Sequence, residues 1–199
     1  MIFLILTLSL NAYSNKAPVI VGNPWDGYIE NAINLSDAGL FKKTQLRRVS
    51  NKAYQYSSQE MVDFLSNINT WLAQNYPGKV IQVGDVSLKK GGPFARHLSH
   101  QTGRQVDLGY ISKRLKQGSY RAKRTNNRFS QRFVYKGKLS PNFDLEANYH
   151  LFAYLINKLR KYVLTDKTIF REIKKYNLKH KKISATDLDE YLVPKRYHH

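Results

Sequence analysis

The 199-residue chain contains no cysteine. This single absence excludes disulfides, Cys-ligated zinc, iron–sulfur clusters and a cysteine nucleophile. It leaves the compartment open, because an exported protein can also do without disulfides. Acidic residues are scarce, with 14 Asp and Glu against 33 Lys and Arg and a net charge of +19. Such a surface attracts polyanions: nucleic acid, an anionic membrane or an acidic wall polymer. No apolar run approaches the ~20 residues that span a bilayer. Ile2 to Leu10 (IFLILTLSL) instead has the length of a signal-peptide core, and Ala12 and Ser14 are the small residues of a cut after Ser14. Residues 1–14 are therefore expected to direct export to the periplasm or beyond. The alternative is a buried N-terminal strand, given Ile2 and Ile5. Internal repeats, low-complexity linkers and the signatures of P-loop, RRM, KH and helix-turn-helix modules are all missing. Disorder is disfavoured by the 14 tyrosines and 13% aromatic content.

What is present reads as one domain. Val21 to Gly39 is turn-rich, with Gly22, Asn23, Pro24, Gly27 and Gly39 as punctuation. Ser57 and Glu60 have capping-box spacing before a helix from Ser58 to about Asn75. Met61, Phe64, Leu65, Ile68 and Leu72 share a face of that helix, and Pro77-Gly78 ends it. The β-branched run 79–87 (KVIQVGDVS) predicts a buried strand, and 105–111 (QVDLGYI) predicts another. In the second, Val106, Leu108 and Tyr110 alternate with Asp107, which places that carboxylate on the opposite face. Further helices are expected over about 144–162 and 167–180, the last short and very basic. Between Leu108 and Phe143 there is no acidic residue and there are ten basic ones, from Lys113 to Lys138.

The segment richest in chemistry is Gly91 to Tyr110. His97 and His100 are three residues apart, and Asp107 follows seven residues later. Two imidazoles and a carboxylate can supply most of a zinc ligand set. A fully extended chain would separate His100 from Asp107 by roughly 20 Å. A shared ion therefore requires Gln101-Thr102-Gly103 to turn the chain back, and Gly103 permits that. By residue type alone, such a trio in a 20-residue window is more often a set of ordinary hydrogen-bonded surface side chains than a metal site.

HLSHQTGRQVDL also resembles the H-x-x-H-Q-x-G-x-x-x-D signature of penicillin-insensitive murein endopeptidases, within the wider group of lysostaphin-type, D-Ala-D-Ala and hedgehog-like zinc peptidases. VGDVSLKKGGPF is similar to that family's strand and Gly-Gly approach, and VGNPWDGYIENAINL to its N-terminal segment. FDLEANYHLFAYLI and IFREI are more weakly similar to later elements. The resemblance implies that His100 and Asp107 ligate Zn2+, with His97 a further ligand or a close neighbour of the ligands. It implies a third histidine ligand in a C-terminal His-x-His element, preceded by a histidine that assists catalysis. The sequence here ends Pro194-Lys195-Arg196-Tyr197-His198-His199, so the domain, 15–199, is expected to lack that element, with His198 or His199 taking the missing role. An Asp-x-x-His turn of some members corresponds to Lys136 to Leu139, which offers no ligand. The implied activity is metal-assisted hydrolysis of D-alanyl cross-links in peptidoglycan.

The expected architecture is α+β: a small central antiparallel sheet carrying the metal site, flanking helices and a basic loop insertion. Asp85 reads either as an orienting partner of a ligand histidine or as a turn cap. Asp144 reads as a helix N-cap, His150 as a helix histidine with no ligand role, and His180 as solvated. The basic 113–138 segment offers three roles. It could stack nucleic-acid bases on Tyr120, Phe129, Phe133 and Tyr135, bind an anionic polymer, or remain a solvated loop. Two rival functions follow, a degenerate or truncated relative that binds wall without cutting it, and a basic nucleic-acid-binding module.

Overall fold

The computed structural model describes residues 16–94, 97–115, 133–159 and 161–194. The candidate signal segment, most of the basic insertion and the terminal His198 and His199 lie outside the described residues. The chain opens with a β-hairpin, β1 (Val19–Asn23) and β2 (Asp26–Glu30), followed by β3 (Ile33–Asn34), β4 (Leu46–Arg48) and β5 (Tyr56–Ser57). Then come α1 (Gln59–Asn75), β6 (Ile81–Val83), β7 (Val134–Tyr135) and β8 (Lys138–Leu139). The chain continues through α2 (Leu145–Asn157), β9 (Val163–Thr165), α3 (Lys167–His180), α4 (Ala185–Tyr191) and β10 (Leu192–Pro194).

The α+β class is as expected, but the one central antiparallel sheet is not seen. Among the described residues the strands form five two-stranded pairs: β1–β2, β3–β5, β4–β6, β7–β8 and β9–β10. Two of these, β4–β6 and β9–β10, are parallel. The expected strand 79–87 shortens to β6 because its backbone changes partners. Ile81 to Val83 pair with β4, whereas Val86 and Ser87 donate to the Tyr54 carbonyl and Ser87 accepts from Tyr56 N–H. On its other edge β6 meets the segment around Asp107. Val83 bridges Leu108, Gly84 N–H donates to the Asp107 carbonyl at 2.7 Å, and Gly109 N–H to the Gln82 carbonyl at 2.8 Å. A ribbon of mixed direction, β4, β6 and 107–109, thus carries the aspartate.

Helix α1 presents Met61, Leu65, Ile68 and Leu72 to the core at i, i+4, i+7 and i+11. Its N-cap is Ser58, whose Oγ accepts from Met61 N–H at 3.3 Å. Ser57, the expected cap, belongs to β5 instead and donates its hydroxyl to the Ile33 carbonyl at 3.2 Å. Asp144 caps α2 as foreseen and also meets Lys79 Nζ at 2.8 Å. Helix α2 stops at Asn157, short of the expected 162, and the chain enters β9. Helix α3 has the expected bounds. Buried side chains from Leu35 to Leu192 form one contiguous core, with contributions from all four helices and from β4, β6 and β10. Phe133, one of the proposed base-stacking aromatics, lies in that core against Tyr110 and Phe143.

The core contains one fully satisfied polar clamp. Asn148 is completely buried on α2. Its carboxamide accepts from Ile111 N–H at 2.8 Å and donates to the carbonyls of Ile111 (2.8 Å) and Asp144 (2.7 Å). It ties the end of the site-bearing segment to α2. Asn148→Leu leaves the Ile111 N–H unpaired in a dry interior, while the Ile111 and Asp144 carbonyls keep their backbone donors, so denaturant melts should show a loss of about 1–3 kcal/mol. A melt identical to wild type contradicts this role.

Candidate metal centre

The hairpin β1–β2 forms the outer wall of the site loop. Gln101, directly after His100, donates its Nε2 to the Trp25 carbonyl at 2.6 Å, and its Oε1 accepts from Gly27 N–H at 3.3 Å. The Gln101 backbone N–H donates to the Pro24 carbonyl. Tyr28 bridges Gly91, where an added Cβ would meet the Gln101 carbonyl oxygen at 2.1 Å. Only glycine lets these strands approach so closely. Gly103 has φ +68, and its carbonyl accepts from Ser58 N–H at the start of α1. His100 itself has φ +74, a left-handed backbone that is uncommon outside glycine. Strain of this kind persists where the surroundings over-determine it, as this latched loop does.

The turn brings the two ligand candidates together. His100 Nε2 lies 3.6 Å from Asp107 Oδ1, and His97 Nε2 lies 3.9 Å from Asp107 Oδ2. The two imidazole centroids are 4.5 Å apart. One donor atom from each of His97, His100 and Asp107 falls within 4.8 Å of the others, so the three could hold one metal ion. His100 is buried, whereas Asp107 is partly open to solvent.

The surroundings set the tautomers. His100 Nδ1 is 3.1 Å from the Val86 carbonyl, which can only accept. Nδ1 therefore carries the proton, and Nε2 presents its lone pair toward Asp107. Gln105 Oε1 accepts from His100 N–H at 2.9 Å and holds the backbone in place. Burial pushes the His100 pKa below the ordinary imidazole value, against the opposing pull of Asp107, and His97 lowers it further. His100 is thus kept neutral, as a metal ligand must be. His97 Nε2 faces Asp85 Oδ2 at 3.1 Å, closer than it faces Asp107. While that nitrogen donates to Asp85, only Nδ1 of His97 can bind a cation. The second oxygen of Asp85, Oδ1, is buried with no hydrogen-bond partner among the described residues. A buried carboxylate oxygen without a donor fits a site built to hold positive charge. Phe94 closes one side, 4.9 Å from His97 and stacked on Tyr54 at 5.3 Å.

The other histidines are elsewhere. His150 Nδ1 bonds the Tyr76 hydroxyl, and His180 is an exposed side chain stacked on Tyr176 at 4.0 Å. Lys136 and Gly137, both with positive φ, form the two-residue turn between β7 and β8 and offer no ligand there. The features that sequence reading missed are the Gln101 latch, the Gln105 bond and the β1–β2 hairpin. Asp85, which had two open readings, meets His97 Nε2 at 3.1 Å.

Two measurements test this geometry. Asp85→Asn should weaken metal binding about 10–100-fold in a chelator competition, because it removes the charge that orients His97. Unchanged affinity contradicts that role. Since the His100 pKa is lower folded than unfolded, the unfolded chain binds the extra proton first. The stability tied to neutral His100 is complete above the ordinary imidazole pKa and is lost as pH falls below it. The melting temperature of chelator-treated protein should therefore drop from pH 7 to 5, and His100→Gln should flatten that slope. Parallel slopes contradict it.

No curated protein matches the chain. The sequence profile of the penicillin-insensitive murein endopeptidases matches residues 20–150. That span runs from β1 into α2 and holds the hairpin, the latched loop, Asp85, His97, His100 and Asp107. The matched span is well over half of the 199 residues, and the chain belongs to the penicillin-insensitive murein endopeptidase family.

Proposed function

We propose that this chain is a zinc-dependent endopeptidase that hydrolyses the D-alanyl amide cross-links of peptidoglycan. The family supports a peptidoglycan-cleaving peptidase. The observation that carries the metal-dependent reading is the folded-back loop, which sets His100 Nε2 3.6 Å from Asp107 Oδ1 although seven residues separate them. A cation with borderline softness, bound by imidazole and carboxylate, suits this donor set.

In this reading His100, through Nε2, and Asp107 hold the ion, and His97 either adds its Nδ1 or remains paired to Asp85. Bound zinc lowers the pKa of water to about 7 and polarises a scissile carbonyl. The chain's own groups do the rest. The Val86 carbonyl fixes the His100 tautomer, Gln105 fixes its backbone, and Asp85 fixes the His97 ring. His97 at Nε2 is placed to hold or return a proton, with Asp85 as the counter-charge. His198 or His199 is proposed to supply the remaining histidine ligand or base. The protein is further proposed to be exported, with Ile2 to Leu10 as the apolar core of a cleaved signal. Among the described residues no helix is long and apolar enough to cross a membrane.

The test couples metal content to digestion of purified sacculi. The wild-type chain should carry about one zinc ion and convert dimeric muropeptides to monomers. His100→Ala and Asp107→Ala should lose both metal and activity while remaining folded. Metal retained by both variants overturns the ligand assignment. Metal bound by wild type with no loss of dimers from sacculi favours instead a relative that binds wall without cutting it.

A further inference from the structure

Helix α3 lies beyond the family-matched span, and its surface chemistry differs from that of the site. Ile169, Ile173 and Asn177 are buried toward the core. Lys167, Arg171, Lys175 and Lys179 recur at i, i+4, i+8 and i+12 and are all exposed, forming one continuous basic stripe. Lys181 and Lys182 extend it past the helix end. Lys167 to Lys182 hold seven Lys or Arg and a single acid, Glu172. Glu172 is shared between Arg171 and Lys175, each at 3.2 Å, and those two cations remain 56% and 63% exposed. Lys174 turns away to Asp189 at 2.6 Å. Lys167, Lys179, Lys181 and Lys182 have no ion-pair partner among the described residues. Like charges four residues apart repel and lower the helix's own stability. The stripe therefore persists at the expense of the helix, which is kept by its buried isoleucines.

The stripe also connects to the site. Tyr110 lies three residues after Asp107, about 10 Å along an extended chain. Its hydroxyl meets Thr165 Oγ1 at 2.8 Å, immediately before Asp166, the N-cap of α3. The start of the basic stripe is therefore anchored to the strand that carries the aspartate.

We infer that the exposed face of α3 is a docking surface for the carboxylates of peptidoglycan stem peptides, holding the protein on the polymer whose cross-links it cuts. The occupant rests on the proposed function; the cationic surface does not. Charge complementarity carries it, since stem peptides repeat free carboxylates along the polymer. The face carries one exposed apolar side chain, Leu178, too little apolar surface to seat a helix in a bilayer, and the stripe positions hold no aromatic ring on which a base could stack.

The test uses the full chain and sacculi freed of attached phosphodiester polymers. Wild type should co-sediment with them, and binding should fall steeply between low and moderate salt. The triple variant Lys167→Gln, Lys175→Gln, Lys179→Gln should bind about tenfold more weakly or worse. Arg at the same three positions should restore binding, and both variants should melt as wild type does. Cleavage of soluble dimeric muropeptides should be unchanged in all three. Sacculi whose carboxylates have been amidated should no longer retain wild type. Equal binding by wild type and the Gln variant overturns the inference. So does charge-dependent retention on duplex DNA or anionic vesicles with none on sacculi. If no muropeptide is released but charge-dependent sacculus binding persists, the docking surface stands and the catalytic reading fails.

Discussion

The site depends on one constraint, the reversal of the chain between His100 and Asp107. An imidazole and a carboxylate seven residues apart on an extended path are far outside the reach of one ion. The reversal is held from three sides. Gln101 is bonded to the hairpin turn at Trp25 and Gly27, Gly103 to the start of α1, and the Asp107 backbone to Gly84 and Asp85 beside β6. Helix α1 and strand β6 are themselves packed into the core. The His100 backbone is forced into the left-handed region by this arrangement, and the Val86 carbonyl and Gln105 carboxamide then leave it one usable nitrogen. Geometry and protonation state are thus set by the same contacts.

A second level of organisation is electrostatic. The chain is strongly cationic, yet the candidate metal centre is a local concentration of carboxylates. Asp85 and Asp107 both lie against His97, and one oxygen of Asp85 is buried without a donor. Burying such an oxygen is unfavourable unless positive charge is nearby. The surplus positive charge is instead displayed on the surface, where the exposed face of α3 carries Lys167, Arg171, Lys175 and Lys179.

Elements driven by local patterning were legible in the sequence. Helix α3, expected as a short and very basic helix, has the expected bounds, and α1 was displaced by only one cap residue because two serines stand side by side there. The grouping of His97, His100 and Asp107, which could hold a metal ion, was legible because the three lie within eleven residues and the turn between them contains Gly103. The sheet was not legible. Strands of two to five residues choose partners by tertiary context, and the 79–87 run splits between β4, the Asp107 segment and the Tyr54 backbone. Helix α4 has only seven residues, too few for periodicity to show. The Gln101 latch was hidden for another reason. A glutamine bonding backbone carbonyl and amide groups 74 and 76 residues away leaves no local signature.

His100 and Asp107 are proposed to bind one zinc ion across the reversed loop. Anomalous diffraction at the zinc absorption edge, from crystals grown with stoichiometric zinc, tests it most directly. A single strong peak is expected about 2.0–2.2 Å from both His100 Nε2 and an Asp107 carboxylate oxygen. No peak between these two side chains, or one bound through other residues, would contradict it.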